Sequence, residues 1–133
     1  MRAMNTGPTD SVRVEFPADT INMAIARTVA AAMAARADLT VDQVEDVRLA
    51  MDEATSHMIR VATPGSNVTI DLWITGGSVH AKLSCPVGAE APPEPEPFSW
   101  TVLTALVGSA RLQVAAGTLS LQWELANDHP VHA

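Results

Sequence analysis

Glu53 and His57 are the residues of this chain whose types and spacing could do chemistry. They stand four apart in residues 47–58, V-R-L-A-M-D-E-A-T-S-H-M, so on a helix they share a face one turn apart. A carboxylate beside an imidazole is the beginning of a metal site. Zinc needs three or four ligands, and this helix offers two. His80 falls on a separate expected strand and His129 and His132 in the tail, so no metal site is expected. The plain structural alternative is a Glu53–His57 ion pair or hydrogen bond, worth about a few tenths of a kcal/mol. Cys85, the single cysteine, has no internal disulfide partner and is expected to be a small buried apolar residue.

The elements that must position these groups are legible along the chain. Residues 11–16 alternate valines with polar residues, as a half-buried strand does, and Pro17-Ala18-Asp19 ends that strand and starts a helix with Asp19 or Thr20 as N-cap. Helix 1 is expected over 20–36, burying Ile21, Ala24, Ile25, Thr28, Val29 and Ala32 at three- and four-residue spacing. Thr40 and Gln43 fit a capping box, followed by a helix 2 with Val44, Val47, Met51, Ala54 and Met58 as its buried stripe, ending before Thr63-Pro64-Gly65. Acids at Asp38, Asp42, Glu45 and Asp46 suit the positive end of that helix dipole.

Strands at 67–75 and 78–85 flank Gly76-Gly77, a pair suited to a tight hairpin. Residues 86–97, with five prolines and three glutamates, read as a loop. A short helix 3 over 98–107 stops at Gly108, and strands 111–115 and 118–125 close a second hairpin around Ala116-Gly117. The order β-α-α-β-β-α-β-β predicts a two-layer α/β (α+β) sandwich, with helices on one face of a mixed, mostly antiparallel sheet. The expected organisation is a disordered segment over 1–10, one domain over 11–125 and a flexible tail over 126–133.

Composition bounds the function. The chain has 133 residues, 47% of them hydrophobic, enough for one core and too few for two. A net charge of −7 with a single lysine argues against a surface that tracks nucleic-acid phosphates and favours a basic partner. No apolar run approaches the roughly 20 residues that span a bilayer, and the first residues lack a signal-peptide core. A cytoplasmic location with no membrane contact is expected.

The 47–58 segment resembles the N-box helix of the anti-sigma factor/serine protein kinase family, a branch of the gyrase, heat-shock and histidine-kinase ATPase superfamily. The family writes Glu-Ala-x-x-Asn there; this chain keeps Glu53 and Ala54 and has His57 in place of the magnesium-binding asparagine. Phe98-Ser99-Trp100 and the apolar run after it are similar to the late helix of actinobacterial members acting in stress and sporulation. The resemblance implies a histidine-kinase-like ATPase fold, with Glu53 as general base wherever kinase activity is retained. It also implies an adenine-binding Asp-x-Gly-x-Gly, where this chain has Cys85-Pro86-Val87-Gly88-Ala89, and a glycine-rich phosphate turn, where it has Phe98-Ser99-Trp100. Magnesium prefers oxygen ligands to imidazole, and a thiol does not replace a carboxylate acceptor. Glu53, His57, Cys85 and Gly88 thus mark a degenerate nucleotide site, with no cofactor expected and Phe98 or Trp100 filling the vacated space.

On helix 1, Met23, Arg27, Ala30 and Ala34 form a second seam at spacings of 4, 3 and 4, opposite the expected buried stripe. Arg27 falls where the family has an arginine that engages the sigma factor and its antagonist. The resemblance implies a homodimeric anti-sigma factor that sequesters a sigma factor from RNA polymerase and is released by an anti-anti-sigma factor. The enzymatic alternative is an ATP-dependent serine kinase acting on that antagonist. A ligand-sensing or scaffold domain is the third reading.

Overall fold

The computed structural model describes residues 10–90 and 95–127; the expectations for 1–9, for 91–94 of the expected loop and for 128–133 lie outside the described residues. Strand β1 (Ser11–Pro17) turns its Val12, Val14 and Phe16 inward. Asp19 caps the next turn by accepting the Ile21 amide at 3.0 Å, and a single 3-10 turn (Thr20–Asn22) runs into α1 (Met23–Arg36). Asp38, with φ of 61°, reverses the chain, and α2 (Val41–Val61) starts at the expected capping box. There Thr40 Oγ1 accepts the Gln43 amide at 3.0 Å while Gln43 Oε1 accepts the Thr40 amide at 3.2 Å.

Strands β2 (Asn67–Thr75) and β3 (Ser78–Pro86) form a hairpin whose central residues, Gly76 and Gly77, both have positive φ, at 57° and 81°. Helix α3 (Pro97–Val107) leads into a second hairpin, β4 (Ser109–Ala115) and β5 (Thr118–Leu125). The sheet order is β1-β2-β3-β5-β4 and every pair is antiparallel, so the sheet is not mixed. All three helices lie on one face. Between the layers, Trp123, Met51, Met58, Ile70, Leu72, Leu83 and Leu121 are almost wholly removed from water. Among the described residues no helix is long and apolar enough to cross a membrane.

Helix 2 buries Val47, Met51, Ala54 and Met58 of its expected stripe, with Val44 only partly buried, but helix 1 is rotated from expectation. Its buried residues are Ala26, Ala30, Met33 and Ala34, whereas Ile21 is 78% and Ile25 46% exposed. Positions 26, 30, 33 and 34 make a continuous face at helical spacing, and its alanines let α1 approach α2 and the sheet closely. Leu39, buried just beyond Asp38, helps to set the helix phase from its C-terminal end. The start of the tail is also held: Gln43 Nε2 donates to the Ala126 carbonyl at 2.8 Å.

The β4–β5 turn stores strain. Ala116 sits at φ of 53°, a left-handed conformation that its Cβ disfavours by roughly 1–2 kcal/mol. Ala116→Asn, which suits the first central position of such a turn, is expected to stabilise the fold by about 1 kcal/mol in urea denaturation, with an unchanged m-value.

Candidate functional site

The α2–α3 junction is built from both helices and one strand. Glu53 and His57 come from α2, Ser99, Trp100 and Leu103 from α3 and Leu121 from β5, with Pro95 at the entrance to α3. Trp100 and Leu103 pack toward α2 because the apolar run of α3 has no other layer to cover it. Glu53 and His57 are together as expected. They do not bond each other, however.

His57 Nδ1 lies 2.9 Å from Arg60 Nη2. A guanidinium only donates, so Nδ1 accepts and the neutral ring carries its proton on Nε2. Burial, and secondarily the charge of Arg60, lower the His57 pKa from its ordinary value of 6.5. The protonated Nε2 is buried without a partner among the described residues. Glu53 is half-buried and bonds no described side chain. The space enclosed by these groups is about 10 Å³, room for one water at most.

The remaining expected nucleotide residues lie apart from this junction. Cys85, at the end of β3, is buried, as expected of an apolar residue, and its thiol donates to the Met58 carbonyl at 3.7 Å. Burial pushes that thiol up to about 11, so it stays protonated at neutral pH. Gly88 is exposed, and a Cβ there would meet nothing within 4 Å. Phe98 is 72% exposed, while Trp100 is partly buried and lines the α2–α3 crevice. Among the described residues no group of three or more His, Cys, Asp or Glu side chains could hold a metal ion. His129 and His132 lie outside the described residues.

The helix 1 seam is corrected in part. Ala30 and Ala34 are 0% exposed and belong to the core, because α1 packs through its small residues; neither presents a surface to a partner. Met23 is half-buried. Arg27 sits at the α1–α2 boundary, its Nε 2.9 Å from Asp52 Oδ1, with each side chain about one-third exposed. Asp52 escaped the sequence reading because no local spacing links residues 25 apart. Arg60, three residues from His57 on the same helix, was within reach of the spacing rules.

With a histidine held neutral by burial, stability has a definite pH dependence. The folded-state pKa of His57 is below its unfolded value, so the unfolded chain takes up the proton more readily. Stability is therefore full above about pH 6.5 and lost as pH falls from there toward the lowered folded-state value. Urea denaturation between about pH 7.5 and 5.5 should show that decline, and His57→Gln should flatten it. An unchanged slope in His57→Gln would show that another group governs it.

Comparison with known proteins bears on this arrangement. The family model of the histidine kinase-like ATPase domain matches residues 16–99. Anti-sigma-F factor RsbW of Mycobacterium tuberculosis, in two strains, is 33% identical over 96 residues, which are 72% of this chain and 57% of the relative. The chain thus spans a little over half the length of the curated relatives it matches. The crystal structure of the RsbU and RsbW domains of a Mycobacterium tuberculosis protein aligns over 94% of this chain and 34% of that one, with a TM-score of 0.74 and 15% identity. That last likeness is one of fold.

Proposed function

Because the chain belongs to the histidine kinase-like ATPase domain family, we propose that it acts as an anti-sigma factor working by stoichiometric sequestration. It holds a sigma factor away from RNA polymerase in the cytoplasm, as a homodimer, until an anti-anti-sigma factor releases it. The observation that carries this reading is the 33% identity to an anti-sigma factor over 96 residues.

Nucleotide has no part in the proposed mechanism. A ligand pocket of nucleotide size needs roughly 300 Å³ or more, against the 10 Å³ found beside Glu53 and His57. Magnesium fares no better. The Nδ1 lone pair of His57 is engaged by the Arg60 cation, Nε2 carries the proton, and among the described residues the junction offers no second carboxylate beside Glu53, only the Ser99 hydroxyl. Cys85 keeps its proton where the family has a carboxylate acceptor. These features support a fold that has closed over its nucleotide site.

Calorimetric titration with Mg-ATP is expected to give no saturable heat, and His57→Asn alone should not restore any, since the crevice would remain filled by Trp100. A saturable site in the micromolar range would overturn this part of the proposal. The kinase alternative retains one supporting observation, the Glu53 carboxylate free of described partners at the crevice. Phosphate transfer from labelled ATP to an antagonist, abolished by Glu53→Gln, would favour it.

Partner binding is assigned to the exposed part of α1 around Arg27. Arg27→Glu is expected to weaken capture of the sigma factor or antagonist by about 2 kcal/mol or more, as for a central interface arginine. The same change sets an acid against Asp52 and costs some stability, so the swap Arg27→Glu with Asp52→Arg supplies the control. The swap should restore thermal stability and leave capture weakened. Full binding by the swap, measured by calorimetry against a purified sigma factor, would remove Arg27 from the interface.

A further inference from the structure

The helices cover one face of the sheet, and the other carries an unusual distribution of charge. The chain has eight arginines and lysines, of which Arg2 lies outside the described residues. Five of the other seven are engaged: Arg13 with Asp71, Arg27 with Asp52, Arg36 with Asp10, Arg48 with Glu45 and Arg60 with His57. Lys82 and Arg111 have no hydrogen-bond or ion-pair partner among the described residues. In a chain with fifteen acids to eight bases, two bases on one sheet row that are both unpaired among the described residues are not what surplus acid predicts.

Strand register brings these two together. One row crosses all five strands, Arg13 opposite Asp71, Asp71 opposite Lys82, Lys82 opposite Gln122 and Gln122 opposite Arg111. Arg13 takes both carboxylate oxygens of Asp71, at 2.7 and 3.3 Å, which leaves Lys82 without the neighbour its register offers. Lys82 and Arg111 stand two strands apart, roughly 10 Å, on either side of Gln122. Together with Gln113, Thr118 and Ser120 they line a concavity of about 320 Å³ that contains no acidic side chain. A second concavity of about 420 Å³, which also holds the Arg13–Asp71 pair, continues from Lys82 past Trp73, whose ring stacks on His80 at 5.2 Å. On the other side Glu124, 3.9 Å from His80, shares a smaller concavity with Arg111.

We propose that this uncovered sheet face, centred on Lys82 and Arg111, docks an acidic segment of a partner polypeptide. The argument is charge complementarity. An open antiparallel face is ordinarily solvated, with its charges paired or interspersed. Here the first concavity offers donors and two cations at a separation that three extended residues span, roughly 10 Å. Its lining includes no acid, the flanking Asp71 and Glu124 being turned to Arg13 and His80. The face is open and continues across the sheet, so it would leave a small free anion largely in water, whereas an extended chain covers it. This surface lies on the opposite side of the sheet from α1, and the proposal does not rest on the assignment of Arg27.

The test uses the full chain and fluorescein-labelled hexaglutamate, read by anisotropy at low ionic strength. Saturable binding is expected, weakened at least about tenfold by Lys82→Glu with Arg111→Glu and changed less than about twofold by Arg48→Glu, which removes a cation from α2. Circular dichroism checks the fold, and Lys82→Gln with Arg111→Gln gives the milder variant if charge reversal unfolds the chain. Absence of saturable binding, or equal loss in the Arg48→Glu control, would overturn the proposal. Competition by inorganic phosphate at the same concentration of anionic groups would make the ligand a free oxyanion and overturn it too. Sedimentation of the free chain covers the last outcome: a dimer that the double variant converts to monomer would assign the face to a second copy instead.

Discussion

The structure depends on the need of α2 to bury Val47, Met51, Ala54 and Met58 against the sheet. Once that stripe faces inward, the rest of the helix has no freedom of rotation. Glu53 and His57, adjacent to the stripe by about 100° per residue, must then face α3, and Asp52 must face the boundary with α1. The capping box fixes where the helix begins, and the Gln43 side chain ties that beginning to the end of β5. A small change in the phase of α2 would therefore move both candidate sites together. Their arrangement is a consequence of core packing, with local electrostatics adjusting to it.

His57 illustrates that adjustment. Burying an imidazole beside a cation favours its neutral form, since a second positive charge there would be largely removed from water and repelled by Arg60. Arg60 satisfies one nitrogen and also raises the cost of protonating the ring. The other nitrogen is left with a buried proton and no described acceptor, a loss of roughly 1–3 kcal/mol relative to a bonded group. The α2–α3 contact offsets this cost through the apolar packing of Leu103, which joins the core, and of Trp100, which packs partly buried against it. In a domain that binds nucleotide, ligand contacts contribute to stability by mass action. On the reading proposed above, side chains of α3 supply that contribution permanently.

Legibility in the sequence followed the strength of the physical signal. The strands were readable because period-two alternation and the Gly76-Gly77 and Ala116-Gly117 turns agree with one another, and the capping box named the start of α2 within one residue. The strand order and the wholly antiparallel pairing were not, since nothing local says that β5 lies beside β3 with β4 at the edge. Glu53 and His57 were readable as neighbours on one face. That His57 would choose Arg60 was a matter of competing three- and four-residue spacings, decided by the burial of the ring. The Arg27–Asp52 contact forms only after two helices dock, which leaves no trace in local spacing.

Helix 1 shows why an apolar pattern alone does not determine a buried face. Its two sides are both apolar, one carrying Ile21 and Ile25, the other Ala26, Ala30 and Ala34. By side-chain area the isoleucines should be buried, at about 25 cal/mol per Å² of apolar surface. Packing prevails because the helix is pressed between α2 and the sheet, where a larger side chain would force the layers apart and loosen contacts along its whole length. The exposed isoleucines are the cost of that close approach. They also leave α1 with an uncovered apolar side next to the partly exposed Arg27, so the geometry that overturned the expected role of Ala30 and Ala34 is the same geometry that keeps Arg27 available at the edge of an apolar surface.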